Sequence, residues 1–250
     1  MRVPNDIPAS YAASIAHDLS TAYRLLKDFQ KLGAGDVVMQ NDASSPIGMA
    51  VIQIAREMGI KTINVISSQR PEADRVLKLL TNLGGDINVT EEYVNSHGLN
   101  QIMAELPACK LALNGVGGDV VTHMSRAMGP QGTIVTYEGK ATLPVVVPPE
   151  FLTGDKKLTL QSFSVSAWHA AKPAIERSVM FAEIASMIRS NKLTLFHELH
   201  DFDDFGYALE KSLEPFALRK VLLNMDFPDR LEEHDALPKE RYHVFETTTV

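Results

Sequence analysis

DVVMQNDASSPIGMAVIQIAREMGIKTINVI, residues 36–66, decides the fold. DVVMQ at 36–40 is a short, mostly apolar run and reads as a buried strand. A polar turn, Asn41-Asp42-Ala43-Ser44-Ser45-Pro46, follows, and apolar spacing predicts a helix over Ile47–Met58. KTINVI at 61–66 is the next strand. At a turn between a strand and a helix start, free N–H groups and the helix dipole favour an anion, such as a dinucleotide pyrophosphate. The turn is not G-x-G-x-x-G. Only Gly48 stands where a small residue lets helix and strand pack closely. Taken alone, it would also suit the first loop of any α/β domain.

The same rhythm extends both ways. Upstream, Leu19, Ala22, Leu25, Leu26 and Phe29 recur at helical spacing across Asp18–Leu32, with Asp18 or Ser20 as a candidate N-cap and Gly33 and Gly35 closing the segment. Downstream the expected order is helix Pro71–Leu83, strand 87–90, helix His97–Leu106, strand 110–115, helix Asp119–Met128 and strand 132–137. Strands alternating with helices imply βαβ units, hence an α/β fold with a doubly wound parallel sheet. After residue 141 a Pro-broken stretch leads to a possible sixth strand at 158–165, a helix at Pro173–Ser190, another around Phe202–Leu213 and a last strand at 220–225. The expected organisation is a lead-in at 1–17, a nucleotide-binding domain with a return segment at 18–225, and a charged, extended tail at 226–250.

Composition narrows the classes. The chain has 250 residues, 45% of them hydrophobic, a net charge of −7 and one cysteine. An acidic balance gives no direct nucleic-acid signal, and a single cysteine excludes an intramolecular disulfide. No apolar run approaches the roughly 18 residues a spanning helix needs, so membrane insertion is not expected. Arg2 is the only basic residue before Arg24, a poor match to a transit peptide.

A resemblance rests on several stretches read together: the segment 35–71, LALNGVGGD, GTIVTYEGK, FSVSAW, LEKSLEPF with RKVLLNM, and the upstream Thr21-Ala22-Tyr23-Arg24. Over about residues 6–225 the chain resembles the mitochondrial enoyl-thioester reductases of the medium-chain dehydrogenase/reductase superfamily. The resemblance implies a Rossmann-like nucleotide-binding half, NADPH as cofactor, a mitochondrial location, and dimerisation through an edge strand at about 158–165. It also implies that the GroES-like catalytic domain, which precedes this region in the family and carries its proton-transfer tyrosine, is lacking here. No residue matches that tyrosine, so no catalytic residue is assigned.

Carried over position by position, the cofactor pocket is altered. The family asparagine before the first helix falls at Asp18, an acceptor-only anion. The family's Asn-Ser-Gly-Val turn falls at Ser44, Ser45, Pro46 and Ile47, where Pro46 removes a backbone N–H and adds bulk. The basic pair that selects the 2′-phosphate is reduced to Arg70. Tyr-Gly-Gly-Met becomes Tyr137, Glu138, Gly139 and Lys140, with Glu138 electrostatically adverse to an anionic cofactor unless Lys140 neutralises it. Phe-Trp-Leu-Ser becomes Phe163-Ser164-Val165-Ser166, while Lys220 is retained. These changes imply weak or absent NADPH binding.

Other candidates are bland on their own terms. Tyr137 and Lys140, with two residues between them, are a Tyr/Lys catalytic pair in name only, and the resemblance places both on a binding loop of the family. His197-Glu198-Leu199-His200 with nearby aspartates is not H-E-x-x-H and suits a polar strand end and helix cap. Cys109 precedes a buried strand and reads as inert. Tyr242–Val250 is β-prone enough to add to a neighbouring sheet. Apolar residues at 195–220, including Phe202, Phe205, Leu213 and Phe216, suggest a protein partner: a second copy, a chain supplying the catalytic half, or a larger assembly. Three functions are therefore open: a non-catalytic structural or assembly subunit, an NADPH-dependent 2-enoyl reductase whose catalytic half lies elsewhere, and a nucleotide-binding module without turnover.

Overall fold

The computed structural model describes residues 3–95, 98–137 and 143–225. The chain divides into two units, Met1–Leu195 and Phe196–Val250, and residues 226–250, read from sequence as a tail, lie outside the described residues.

The first unit is built on a six-stranded sheet of order β3-β2-β1-β4-β5-β6, every neighbouring pair parallel. Its strands are β1 (Val37–Gln40), β2 (Lys61–Ile66), β3 (Ile87–Thr90), β4 (Cys109–Asn114), β5 (Met128–Tyr137) and β6 (Thr159–Phe163). Side chains alternate between two cores. Val38, Leu111, Leu113, Val135 and Tyr137 face one, while Val37, Met39, Cys109, Ala112 and Ile134 face the other. Period-2 alternation with both faces covered is why these strands read as unbroken apolar runs.

Helices fill both faces. The first core receives α1 (Ala9–Ser14), α2 (Ser20–Lys27), α3 (Pro46–Glu57) and α10 (Ala174–Arg189). The second receives α5 (Glu91–Asn95), α6 (Gly98–Ala104) and α7 (Asp119–Ala127). The remaining helices are α4 (Ala73–Asn82), α8 (Pro149–Thr153) and α9 (Val165–Ala171). Helix α3 is buried from Ile47 to Ala55, and its apolar residues do not interrupt at any exposed face.

Several boundaries depart from the sequence reading for identifiable reasons. The first helical segment begins at Ala9, and α1 joins α2 through a π-helical turn, Ile15–Leu19. Asp18 therefore sits inside that turn rather than capping a helix, and Ser20 bonds back to the Ile15 carbonyl at 2.6 Å. Ile7, Ser14 and Ile15 are buried, so the supposed lead-in contributes to the core. Glu72 adopts a left-handed φ of 52° and delays α4 to Ala73, leaving Pro71 before the cap. The helix expected over His97–Leu106 corresponds to α6, Gly98–Ala104, with His97 outside the described residues, and α5, Glu91–Asn95, is an additional helix before it. Phe163 ends β6, and Ser164 then caps the unanticipated helix α9 by accepting from the Ala167 amide at 3.3 Å.

The second unit pairs β7 (His197–Asp201) with β8 (Lys220–Asn224) in parallel, His197 opposite Lys220. A 3-10 turn, Phe202–Asp204, and α11 (Phe205–Ser212) connect them. Among the described residues no helix is long and apolar enough to cross a membrane.

Candidate dinucleotide site at the strand-order reversal

The order of the strands reverses between β1 and β4. In an open parallel sheet, that reversal leaves a crevice beyond the carboxyl ends of the strands, because the two connections leave on opposite faces. Here the crevice is bordered by the turn at 41–46 and by Gly115–Gly118.

The turn is held by its own side chains. Ser45 caps α3: its hydroxyl accepts from the Gly48 amide at 3.0 Å and donates to the Asp42 carbonyl at 2.9 Å. A cap of this kind satisfies a helix-end donor. Pro46 occupies the first helical position and has no N–H to give a phosphate. The Met49 amide bonds to the Ser45 carbonyl. Within this first turn, the Ile47 amide remains as the donor not used by these bonds. Gly48 is required by packing, since a Cβ there would lie 2.2 Å from the Asp42 carbonyl oxygen.

Arg70 reaches across from the end of β2. Its guanidinium donates to Ser44 Oγ at 3.0 Å, and the residue is only 8% exposed. Burial lowers its proton affinity, and the nearby Asp42 carboxylate opposes that effect. The cation expected to read a 2′-phosphate thus rests against the turn at 41–46.

Beneath the turn lies a buried amide network. Asn41 Nδ2 donates to Asn114 Oδ1 at 2.7 Å, and Asn41 Oδ1 accepts from the Gly115 amide at 2.8 Å. Asn114 Oδ1 also accepts from the Gly117 amide at 2.8 Å, and Asn114 Nδ2 donates to Thr136 Oγ1 at 3.0 Å. Both asparagines are buried. Gly115 sits between Asp42 and Tyr137; a Cβ on it would lie 2.7 Å from Asp42 Cβ and 2.9 Å from the Tyr137 hydroxyl. That close approach admits only glycine at this position.

The residues singled out by sequence are only partly brought together. Ser44, Ser45, Pro46, Ile47 and Arg70 converge at the turn, and buried Tyr137 stands at the end of β5 beside Gly115. Asp18 is buried on the π-helical turn, with His17 Nδ1 2.8 Å from its carboxylate. Phe163 packs edge-on against Phe29, ring centres 5.7 Å apart, while Ser166 is exposed on α9. Lys220 opens β8 in the second unit. Glu138, Gly139 and Lys140 lie outside the described residues. Sequence reasoning placed Asn41 and Asp42 in the turn without a role of their own and missed Asn114 and Gly115. The available signal was an amide closing each of two apolar strands, VVMQN and LALN, one on each side of the reversal.

Among the described residues no group of three or more His, Cys, Asp or Glu side chains is placed to hold a metal ion. His200 instead bonds Glu198 at 3.1 Å. Burial pushes the Cys109 thiol up to about 12, with the Leu111 carbonyl accepting its proton at 3.3 Å.

Sheet order and helix placement together define a Rossmann-like α/β fold. The chain is homologous to the mitochondrial enoyl-[acyl-carrier-protein] reductases of the medium-chain dehydrogenase/reductase superfamily, matching the part that includes their nucleotide-binding half. The enzyme of that name from Dictyostelium discoideum is 40% identical over 224 residues, which are 90% of this chain and 63% of that protein. The Homo sapiens one is 36% identical over 226 residues, 90% of this chain and 60% of the relative. The chain therefore spans less than two thirds of the length of these curated relatives. A mitochondrial 2-enoyl thioester reductase heterodimer from Candida tropicalis superposes with a TM-score of 0.76 at 27% identity, covering 84% of this chain and 61% of that one. A related complex with NADP and crotonyl-CoA gives a TM-score of 0.75 at 28% identity, covering 84% and 60%. No protein-family model matches the chain.

Proposed function

We propose that this chain acts as a non-catalytic, nucleotide-domain subunit of the enoyl-thioester reductase type, in mitochondria, with a weakened NADPH site. The observation that carries the reading is the self-occupied phosphate turn: Arg70 on Ser44, Ser45 on Gly48, and Pro46 where a donor would stand. A phosphate entering that turn must displace the Arg70–Ser44 bond and finds one amide fewer. Two charge-assisted hydrogen bonds weakened or lost correspond to about 100-fold in affinity. Hydride transfer also needs an acyl pocket and a proton source placed together with the cofactor, and none of the site residues described above supplies the latter. A protein partner completes the reading, either a second copy joined at the β6 edge or a larger assembly.

A second reading, an NADPH-dependent 2-enoyl-thioester reductase active with a catalytic half supplied elsewhere, is favoured by one observation. Arg70 is retained and held beside the turn, where a small rotation would release it toward a 2′-phosphate. Titration of the purified chain with NADPH, with NADH as control, separates the two when combined with turnover of a crotonyl thioester. Weak NADPH binding without turnover supports the first. Tight, NADPH-selective binding, or turnover, would overturn it in favour of the second, and no binding would remove the nucleotide site from both.

A further inference from the structure

We infer that Asn41 and Asn114 are positioning residues for the dinucleotide, a latch that ties the two halves of the sheet together across the crevice floor. The inference rests on the reading above, that the crevice takes NADPH. It adds residues that neither resemblance nor motif singles out.

Parallel strands β1 and β4 meet at the one place in this sheet where successive connections leave in opposite directions. Main-chain pairing joins them as far as Gln40 and Leu113. Beyond that point each chain turns away, β1 into the turn at 41–46 and β4 into Gly115–Gly118. The Asn41–Asn114 bond is the side-chain continuation of the ladder past its end, reinforced by the Asn41 amide on the Leu113 carbonyl at 3.2 Å. The two side-chain oxygens also fix backbone. Asn41 Oδ1 holds the Gly115 N–H and Asn114 Oδ1 holds the Gly117 N–H, while Asn114 Nδ2 reaches Thr136 on β5. Gly117 and Gly118 have φ of 82° and 77°, a left-handed path that needs an external hold when side chains supply none.

The latch sets how far Gly115 stands from the turn that receives the pyrophosphate. Two apolar residues of similar size would fill the space without that hold, and the glycine backbone would drift relative to the turn. Positioning errors of this kind act on cofactor affinity more than on global stability. A contrasting network exists in the same sheet: Asn88, on β3, bonds Asn64, Thr81 and Gly85, away from the reversal.

The test compares Asn114→Leu with Asn88→Ala in the full chain, measuring NADPH dissociation constants well below each variant's unfolding midpoint and amide exchange residue by residue. Asn114→Leu should weaken NADPH at least 10-fold and speed exchange at Gly115 and Gly117. Asn88→Ala should lower the unfolding midpoint comparably and leave NADPH affinity unchanged. If the wild-type chain binds NADPH and Asn114→Leu binds it equally well, or if Asn88→Ala loses as much affinity, the positioning role is overturned. A wild-type chain that binds no NADPH overturns the dinucleotide reading itself, and with it any role for the latch in holding a cofactor.

Discussion

At Pro46 one ring has two opposed effects. It fixes φ for the first turn of α3 and so favours the helix, and it deletes a donor at the helix end that would face a phosphate. Pro46→Gly should therefore raise NADPH affinity by about 10-fold, the worth of one charge-assisted bond, while lowering stability by about 1 kcal/mol through the freer unfolded chain. Combined with Glu138→Gly, the gain should grow; calorimetric titration beside thermal melting reads both effects, and unchanged affinity in the pair would place the weakness elsewhere. Cys109 makes a second prediction, in pH. Its thiol is raised from the ordinary 9.0 to about 12 by burial, so the neutral form is the one the fold accommodates. The stability it contributes is complete below pH 9 and is lost as pH rises toward 12. Tyr23, raised by burial and then by the Glu183 carboxylate that accepts its proton, has the same sign. Urea denaturation between pH 8 and 11 should show falling stability, and Cys109→Ala should flatten part of that slope.

Among the elements, the sheet carries a second amide row that fixes its register. Gln40 Nε2 donates to Asn64 Oδ1 at 2.8 Å and Asn64 Nδ2 to Asn88 Oδ1 at 2.9 Å, and these residues are direct neighbours across β1, β2 and β3. Asn64→Leu would leave the buried Gln40 amide and the half-buried Asn88 amide each short of one partner, a loss of about 2 kcal/mol, seen as a lower urea midpoint with an unchanged slope. The strands around these residues were legible because burial on both faces leaves continuous apolar runs, and their order in the chain gave the βαβ rhythm. The polar positions inside them were not, since a lone Asn in an apolar strand gives no sign of which neighbour it meets. Helix starts were less legible than strands. The π-helical turn at Ile15–Leu19 comes from a long-range fit of Ile15 and Leu19 into the first core, and the left-handed Glu72 is unmarked by any glycine. At the site, the turn residues were found by position, but the rotation of Arg70 onto Ser44 depends on burial that no local pattern encodes.

For the molecule as a whole, the outer strand β6 is the feature with a consequence for assembly. Its residues Thr159–Ser162 are exposed, and Leu160 is 45% exposed, so among the described residues one edge of the parallel sheet stands open. An uncovered edge strand is a template for pairing with another chain. The purified protein should sediment as a dimer at micromolar concentration, and Leu160→Lys should convert it to monomer without loss of helix content. A monomeric wild type would remove β6 as the joining edge and leave the larger-assembly reading. The second unit has a different consequence. Among the described residues its sheet consists of β7 and β8, two parallel strands, and Ala208 is the buried apolar side chain within α11. A two-stranded sheet with so little interior is marginally stable by itself, whereas the six-stranded unit has two full cores. The backbone protons of residues 197–224 should then exchange with deuterated water in minutes through openings that leave the strands of the first unit protected for hours, making this protein two cooperative units on the clock of spontaneous opening.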